Sequence, residues 1–439
     1  MSIFVRFLTF HILKTFNKIL FFCILVLMPF VMQSQMRIKI NIENQDDNIY
    51  YLLKYKSDKT QIVIDSTNLH NGKMIIENNS NIDEGIYIIA DSHKNALFEI
   101  LIGKDQKFSI DIKELMDYNS YEIKGSKETS SYFDIYAKTI YNNLYIKALK
   151  SEIEYNPNNI YKIDSLKAKL YEYQESMLLK DKDSFLNTYI KFIEKVQVPK
   201  DYNNDYEYIT EHYFDELPLC DHRILNSRLL KNKLDDYFNN YASKSTSDFI
   251  CNKIDLIISK VSDCKDVRDY ILWNLYSRFF KPENINHELV FVHLVDNYFS
   301  HLEIDNLTDD IRTEIIRRAE ILRNIAIGQA APPLSYVNEN NETIDLYDIK
   351  SKYTVLFFYK PDCQRCMRDK RVLNMVKKRR KDLEILHIDI SEENNKISQD
   401  VINQYDIMTT PTIYLLNDKK DIIAKQIKAE EIEFHIIKR

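Results

Sequence analysis

The spacing at which apolar residues recur changes twice along this chain, and each change dictates a different kind of layer. From Met36 to Ile112 the residues read as short strands, "MRIKINIE", "IYYLLKYK", "TQIVID", "KMIIEN", "GIYIIA" and "ALFEILI", separated by Asn, Asp and Gly turns. "MRIKINIE" alternates apolar and polar residues, as a half-buried strand does. From about Glu128 to Asn324 the step becomes three and four. Ile224, Leu225, Leu229, Leu230, Leu234 and Phe238 make one such stripe, and Ile311, Ile315, Ala319 and Leu322 another. No fixed repeat period joins the helices, which argues against a solenoid. Gly328 and Pro332–Pro333 then punctuate a boundary. Beyond it "TVLFFYK" and "LEILHIDI" are continuous apolar runs of buried-strand type, and "TIYLLN" and "KDIIAKQI" form a pair joined at Asn417 to Lys420. Helical stretches fall at Gln364 to Arg380, Glu393 to Tyr405 and the terminal "AEEIEFHIIKR". The expected fold is multidomain: an antiparallel β domain over 36–125, an all-α domain over 126–325 and an α/β domain over 326–439.

A length of 439 residues is consistent with several cores, and a formal net charge of −6 gives no polyanion-binding signature, so no nucleic-acid partner is expected. The basic run Lys377 to Lys381 reads as the C-terminal end of a helix, where cations favour the dipole. The 30 Tyr and 22 Phe are spread through strands and helices, as packing residues rather than a stacking platform. The first 35 residues stand apart. Arg6, Lys14 and Lys18 precede the apolar run Ile19 to Met32, which meets "QSQ" with Ser34, the pattern of a secretory signal peptide. The mature chain would begin near Gln35, in the periplasm or cell envelope, although the same run left uncleaved would be an N-terminal membrane anchor. Cys23 lacks a lipobox, because Phe21 and Phe22 stand where small residues belong. An envelope compartment permits disulfides.

Within "FFYKPDCQRCMRDK", Cys363 follows an apolar strand and opens a helix. A thiolate, not a thiol, attacks disulfides, and the unsatisfied N–H groups of a helix N-terminus stabilise that anion. Arg365 and Arg368 add cations. Cys366 lies about one turn on, placed to resolve a mixed disulfide formed at Cys363. A structural zinc site would need a second ligand pair, and the remaining cysteines of the mature chain, Cys220, Cys251 and Cys264, are singly placed in the helical region. Their odd number and irregular spacing favour buried free thiols. His287 and His293 in "HELVFVH" are six apart rather than four, so a packed helix is expected there instead of a zinc protease motif. Neither metal nor other cofactor is expected.

From Ile327 to Arg439 the chain resembles the thioredoxin superfamily, in particular its exported TlpA-like thiol–disulfide oxidoreductases. The leader "IGQAAPPLSYVNENNETIDLYDI", the strand and active-site run "TVLFFYKPDCQRC", the strand "ILHIDI" and the segment "YDIMTTPTIYLLN" carry the match. The resemblance implies a thioredoxin-like α/β fold, a cis Thr410–Pro411 bond and a Thr410 backbone lying beside Cys363 to align a substrate. It also makes Asp369, where relatives often carry Glu, a modulator of thiol pKa and proton transfer, against the plainer reading of a solvated surface carboxylate. Two departures bear on the redox potential: Asp362 stands where thioredoxins usually have Trp, and the Phe357 region replaces the buried acid of the central strand. The β and helical regions resemble, through "INHELVFVHLVDNYF", upstream domains of unknown function in envelope proteins. The implied activity is disulfide exchange with envelope proteins, in the reductase direction, with protein disulfides and a thiol electron donor as partners. The competing readings are a binding or scaffold protein with a structural thioredoxin module, and a thiol peroxidase. Lys360 stands where a peroxidase would usually have Thr.

Overall fold

Met36, Ile38, Ile40 and Ile42 all point inward from strand β1 (Met36–Ile42), so the alternation in "MRIKINI" is the alternation of a sheet with one face on a core. The computed structural model describes residues 35–437 apart from 46–47, 56–60, 200, 283, 339–341, 392–396 and 398. The signal-peptide reading and Cys23 lie outside the described residues. The described chain falls into two compact units, one within Met1–Lys195 and Arg223–Leu229, the other within Val196–His222 and Leu230–Arg439.

In the first unit β1 is joined by β2 (Ile49–Tyr55), β3 (Gln61–Asn68), β4 (Lys73–Asn78), β5 (Gly85–Ala90), β6 (Ala96–Ile102), β7 (Lys107–Ile112) and β8 (Tyr121–Lys124). They form two four-stranded sheets, ordered β4-β1-β7-β8 and β3-β2-β5-β6. Strands β7 and β8 were not read from the sequence, although Phe108, Ile110 and Ile112 of β7 alternate plainly. The ladders are antiparallel except that β7 runs parallel to β1, in a register that sets Ile38 beside Phe108, Ile40 beside Ile110 and Ile42 beside Ile112. Helices α1 (Lys127–Ser151), α2 (Asn159–Ser176) and α3 (Phe185–Ile193) follow. Ser126 and Ser184 cap α1 and α3 by accepting from the N–H groups of Thr129 and Leu186.

The second unit holds α4 (Asp205–His212), most of α5 (Leu229–Asp236), α6 (Ser247–Lys260), α7 (Lys265–Phe279), α8 (Glu288–Leu294) and α9 (Asp309–Asn324). Thr246 and Thr308 cap α6 and α9. On α9 Ile315, Ala319 and Leu322 are buried, whereas Ile311, expected in the same stripe, is 42% exposed. The histidines of "HELVFVH" have separate partners: the His287 ring contacts Asn284 and the Ser245 carbonyl, and His293 Nε2 lies 2.7 Å from Asp255. Among the described residues no group of three or more His, Cys, Asp or Glu could hold a metal ion, and no helix is long and apolar enough to cross a membrane.

The expectation of three free thiols here is corrected. Cys220 and Cys264 are disulfide-bonded, with Cα atoms 5.6 Å apart across a sequence separation of 44. Helical spacing could not reveal this, because Cys220 lies in a loop that returns to the residue preceding α7. Of the three, Cys251 is the free thiol, and burial, with Asp255 and Asp248 nearby, pushes its pKa up to about 12. The thiol therefore stays protonated at neutral pH. Native protein treated with iodoacetamide at pH 7 should label Cys251 at least ~10²-fold more slowly than a cysteine of ordinary pKa, which peptide mass mapping would measure.

The C-terminal part of this unit opens with the hairpin β9 (Ser335–Val337) and β10 (Thr343–Asp345) and is built on a sheet ordered β12-β11-β13-β14. Strands β11 (Tyr353–Tyr359) and β12 (Leu383–Asp389) are parallel, joined through helix α10 (Gln364–Arg379). Helix α11 (Gln399–Gln404) leads into β13 (Thr412–Leu416), which runs antiparallel to β11 and to β14 (Ile422–Lys425), and helix α12 (Ile432–Ile437) ends the described chain. Central position explains the continuous apolar run of β11, which is covered on both faces. Val355, Phe357 and Tyr359 join Leu373 and Val376 of α10 and Ile432 of α12 in one core layer. On the other face Phe358 packs against the rings of Tyr405 and Tyr414, at 5.3 and 6.1 Å. Glu288 of α8 forms a buried ion pair with Lys425 of β14.

Candidate active site

Strand β11 ends at Tyr359, and Lys360, Pro361 and Asp362 turn the chain so that Cys363 becomes the N-cap of α10. Its sulfur accepts a hydrogen bond from the Cys366 N–H at 3.1 Å, so one of the helix's unsatisfied donors is directed at it. Cys363 and Cys366 are disulfide-bonded, with Cα atoms 5.2 Å apart. Their surroundings differ: Cys366 is wholly buried in the layer that contains Phe357 and Tyr359, while Cys363 is only partly buried. An incoming sulfur can reach Cys363 alone. Facing it is the turn before β13, where the Thr410–Pro411 peptide is cis and the Thr410 carbonyl lies 3.9 Å from the Cys363 sulfur. The turn is held from behind. Thr412 donates to the Thr409 carbonyl at 2.6 Å, and Tyr414 donates its hydroxyl to the Tyr405 carbonyl at 2.6 Å.

Residues 327–438 match the model of the AhpC/TSA family. The C-terminal domain is thioredoxin-like. Residues 36–132 match a second model, described as a domain of unknown function, DUF4369. No curated protein matches the chain. Among solved structures it is similar to a thioredoxin-like protein from Bacteroides caccae, at 19% identity over 56% of this chain and 98% of that one, with a TM-score of 0.47. The thioredoxin domain of a thiol-disulfide oxidoreductase from Bacteroides vulgatus matches at 21% identity over 26% of this chain and 96% of that one, TM-score 0.23. A thiol:disulfide interchange protein from a Bacteroides species matches at 20% over 26% and 90%, TM-score 0.23.

Around the dithiol of the thioredoxin-like domain the charged residues sort differently from their sequence order. Arg365 is exposed on the first turn of α10. Arg368, expected to act on the thiol, grips Asp369 instead, with Nε and Nη2 each 3.1 Å from Asp369 Oδ1. Asp369 is only 2% exposed, so the reading of it as a solvated surface carboxylate is corrected. A single helical turn explains the difference: position 369 falls three residues after Cys366, on the face that packs into the core, and the neighbouring guanidinium offsets the cost of burying its charge. Beneath the pair, Phe357 stacks on Tyr359 at 5.3 Å and meets the His387 ring edge-on at 5.7 Å. The strand below the dithiol is therefore aromatic at the position where the resemblance led one to look for an acid. Lys370 Nζ sits over the Tyr359 ring at 4.9 Å, a cation close to the site that sequence reasoning passed over.

Proposed function

We propose that the protein is a thiol–disulfide oxidoreductase that reduces disulfides in other proteins through Cys363 and Cys366. One observation carries the reading: of two bonded sulfurs at a helix N-terminus, one is accessible beside the Thr410 backbone and the other is wholly buried. In the reduced enzyme the Cys363 thiolate attacks a substrate disulfide, forming a mixed disulfide and expelling one substrate thiolate. Cys366, deprotonated, then attacks the Cys363 sulfur, expels the second substrate thiolate and restores the Cys363–Cys366 disulfide. The substrate gains two electrons and the dithiol loses two, and a dithiol donor reverses that loss. Thr410 and Pro411 border the place where the substrate sulfur must arrive. Asp369, buried one turn beyond Cys366, is the candidate for accepting its proton, while Arg365 favours the Cys363 thiolate. The working redox domain starts near residue 326.

The test is insulin-disulfide reduction by the full chain with dithiothreitol as donor, in which turbidity should appear well before the uncatalysed control. No acceleration at any enzyme concentration would overturn the reading. Asp369→Asn should slow turnover by about 10²-fold, the usual scale of a lost proton-transfer group, without loss of the folded state by circular dichroism. Export to the envelope rests on residues 1–35 and is decided by intact mass. A mature chain starting near Gln35 is expected, and a mass that retains Met1 to Ser34 would favour the anchored form.

A further inference from the structure

We infer that the helical part of the second unit supplies half of the substrate groove, and that the groove holds an extended, apolar stretch of polypeptide flanking the cysteine to be attacked. This rests on the redox reading above and names the substrate chemistry it leaves open. A cavity of about 530 Å³ lies between α9 and the segment that runs from α11 to Met408. Its apolar walls are Tyr276, Phe280, Ile311 and Ile315 on the helical side and Ile402 and Ile407 on the other, and Asp310, Glu314 and Arg317 of α9 line it as well. A second cavity, of about 440 Å³, shares Ile402, Ile407 and Met408 with the first and is bordered by Thr409 and Thr410. Through these shared residues the two cavities make one groove that runs from α9 to Thr410, whose carbonyl lies 3.9 Å from the Cys363 sulfur.

The groove is mainly apolar along α9, where a core would normally have closed, and mixed nearer Thr410, where Lys360, Ser391 and Gln399 line it beside Ile402, Ile407 and Met408. Ile311 is 42% and Met408 49% exposed, although Ile311 continues the buried stripe of α9. Met is well suited to meet varied partners, because its unbranched, polarizable side chain adapts its shape. The two walls are also joined by a charged pair. Arg318 of α9 pairs with Asp406 at 3.2 Å and sits over the Phe280 ring, its guanidinium carbon 3.7 Å from the centroid. That pair neutralises both charges and ties the two walls together. A disulfide-bearing chain that reaches Cys363 past Thr410 has Met408 and Ile407 as its next neighbours, and apolar side chains on that chain would cover Ile311 in turn.

The experiment compares two disulfides with the full-length protein: glutathione disulfide, and a synthetic peptide of mainly Leu, Val and Ile around one cysteine, presented as its glutathione mixed disulfide. Ile311→Asp is the variant, since an acid in the first turn of a helix is favourable and the site is already exposed. The ratio of kcat/KM for the peptide to that for glutathione disulfide should fall about tenfold, through KM, as for a lost apolar contact in a binding site. Ile311→Leu should restore it. An unchanged ratio in a wild type that reduces both probes overturns the groove and leaves the redox reading standing. A change in oligomeric state with no change in the ratio overturns it too, and assigns this face to a second copy. A wild type that reduces neither probe overturns the redox reading and this inference with it.

Discussion

Cys363→Ser is expected to bring insulin reduction down to the uncatalysed rate, a loss of at least ~10³-fold, because a neutral hydroxyl replaces the thiolate proposed to attack, and among the described residues the one free thiol, Cys251, is held protonated. Cys366 cannot substitute: it is wholly buried behind Cys363 in the core layer of Phe357 and Tyr359. Cys366→Ser should behave differently. Attack survives and resolution does not, so mixed disulfides with the substrate accumulate and appear as adducts on a non-reducing gel that vanish with dithiothreitol. The asymmetry is the informative part. If both variants trapped adducts equally, the exposure difference between the two sulfurs would not govern the order of attack. If Cys363→Ser kept wild-type turnover, the nucleophile would lie elsewhere.

The parts of this site that could be read from the sequence are those set by neighbours in the chain. A buried strand ending at Tyr359, a three-residue turn and a helix opening on Cys363 are local events, and they place Cys366 one turn in from the end. The Thr410–Pro411 turn came from resemblance rather than from spacing, since its approach to Cys363 links residues far apart in the chain. What the sequence left unread depends on such approaches. Asp369 looks like one charge in a charged run, and only the packing of α10 against the sheet decides that it turns inward with Arg368 across its oxygen. Cys220 and Cys264 carry no helical relationship to each other, so their bond is invisible until the loop bearing Cys220 is placed beside the start of α7. Strand β7 was missed because six residues between turns give a weak signal, yet its register against β1 completes the first sheet.

The buried pair Glu288–Lys425 illustrates the same limit and should have the largest effect on stability. "HELVFVH" gave no reason to expect its glutamate in the interior, but Glu288 and Lys425 are 6% and 2% exposed, and Gln426 donates to the same carboxylate at 3.3 Å. Removing one member strands the other charge in a site that water cannot reach. Glu288→Ala should therefore destabilise the second unit by about 3–5 kcal/mol, and Lys425→Met by a similar amount. The double replacement Glu288→Leu with Lys425→Met should recover most of the loss, since two apolar side chains leave no unpaired charge. The single tryptophan, Trp273, lies on α7 in this unit and donates to the Asp305 carbonyl at 2.9 Å, so its fluorescence during urea unfolding reports the right part of the molecule. The pH dependence has a definite sign. Burial outweighs the attraction of Lys425 and holds the Glu288 carboxyl above the usual glutamate range, so the folded state binds this proton more tightly than the unfolded chain does. Its share of the stability is greatest below the ordinary glutamate pKa and declines as pH rises through the folded value. Glu288→Gln should flatten that decline. Additive losses in the two single variants and the double would show that the charges do not compensate each other, and that the tie between α8 and β14 rests on packing alone.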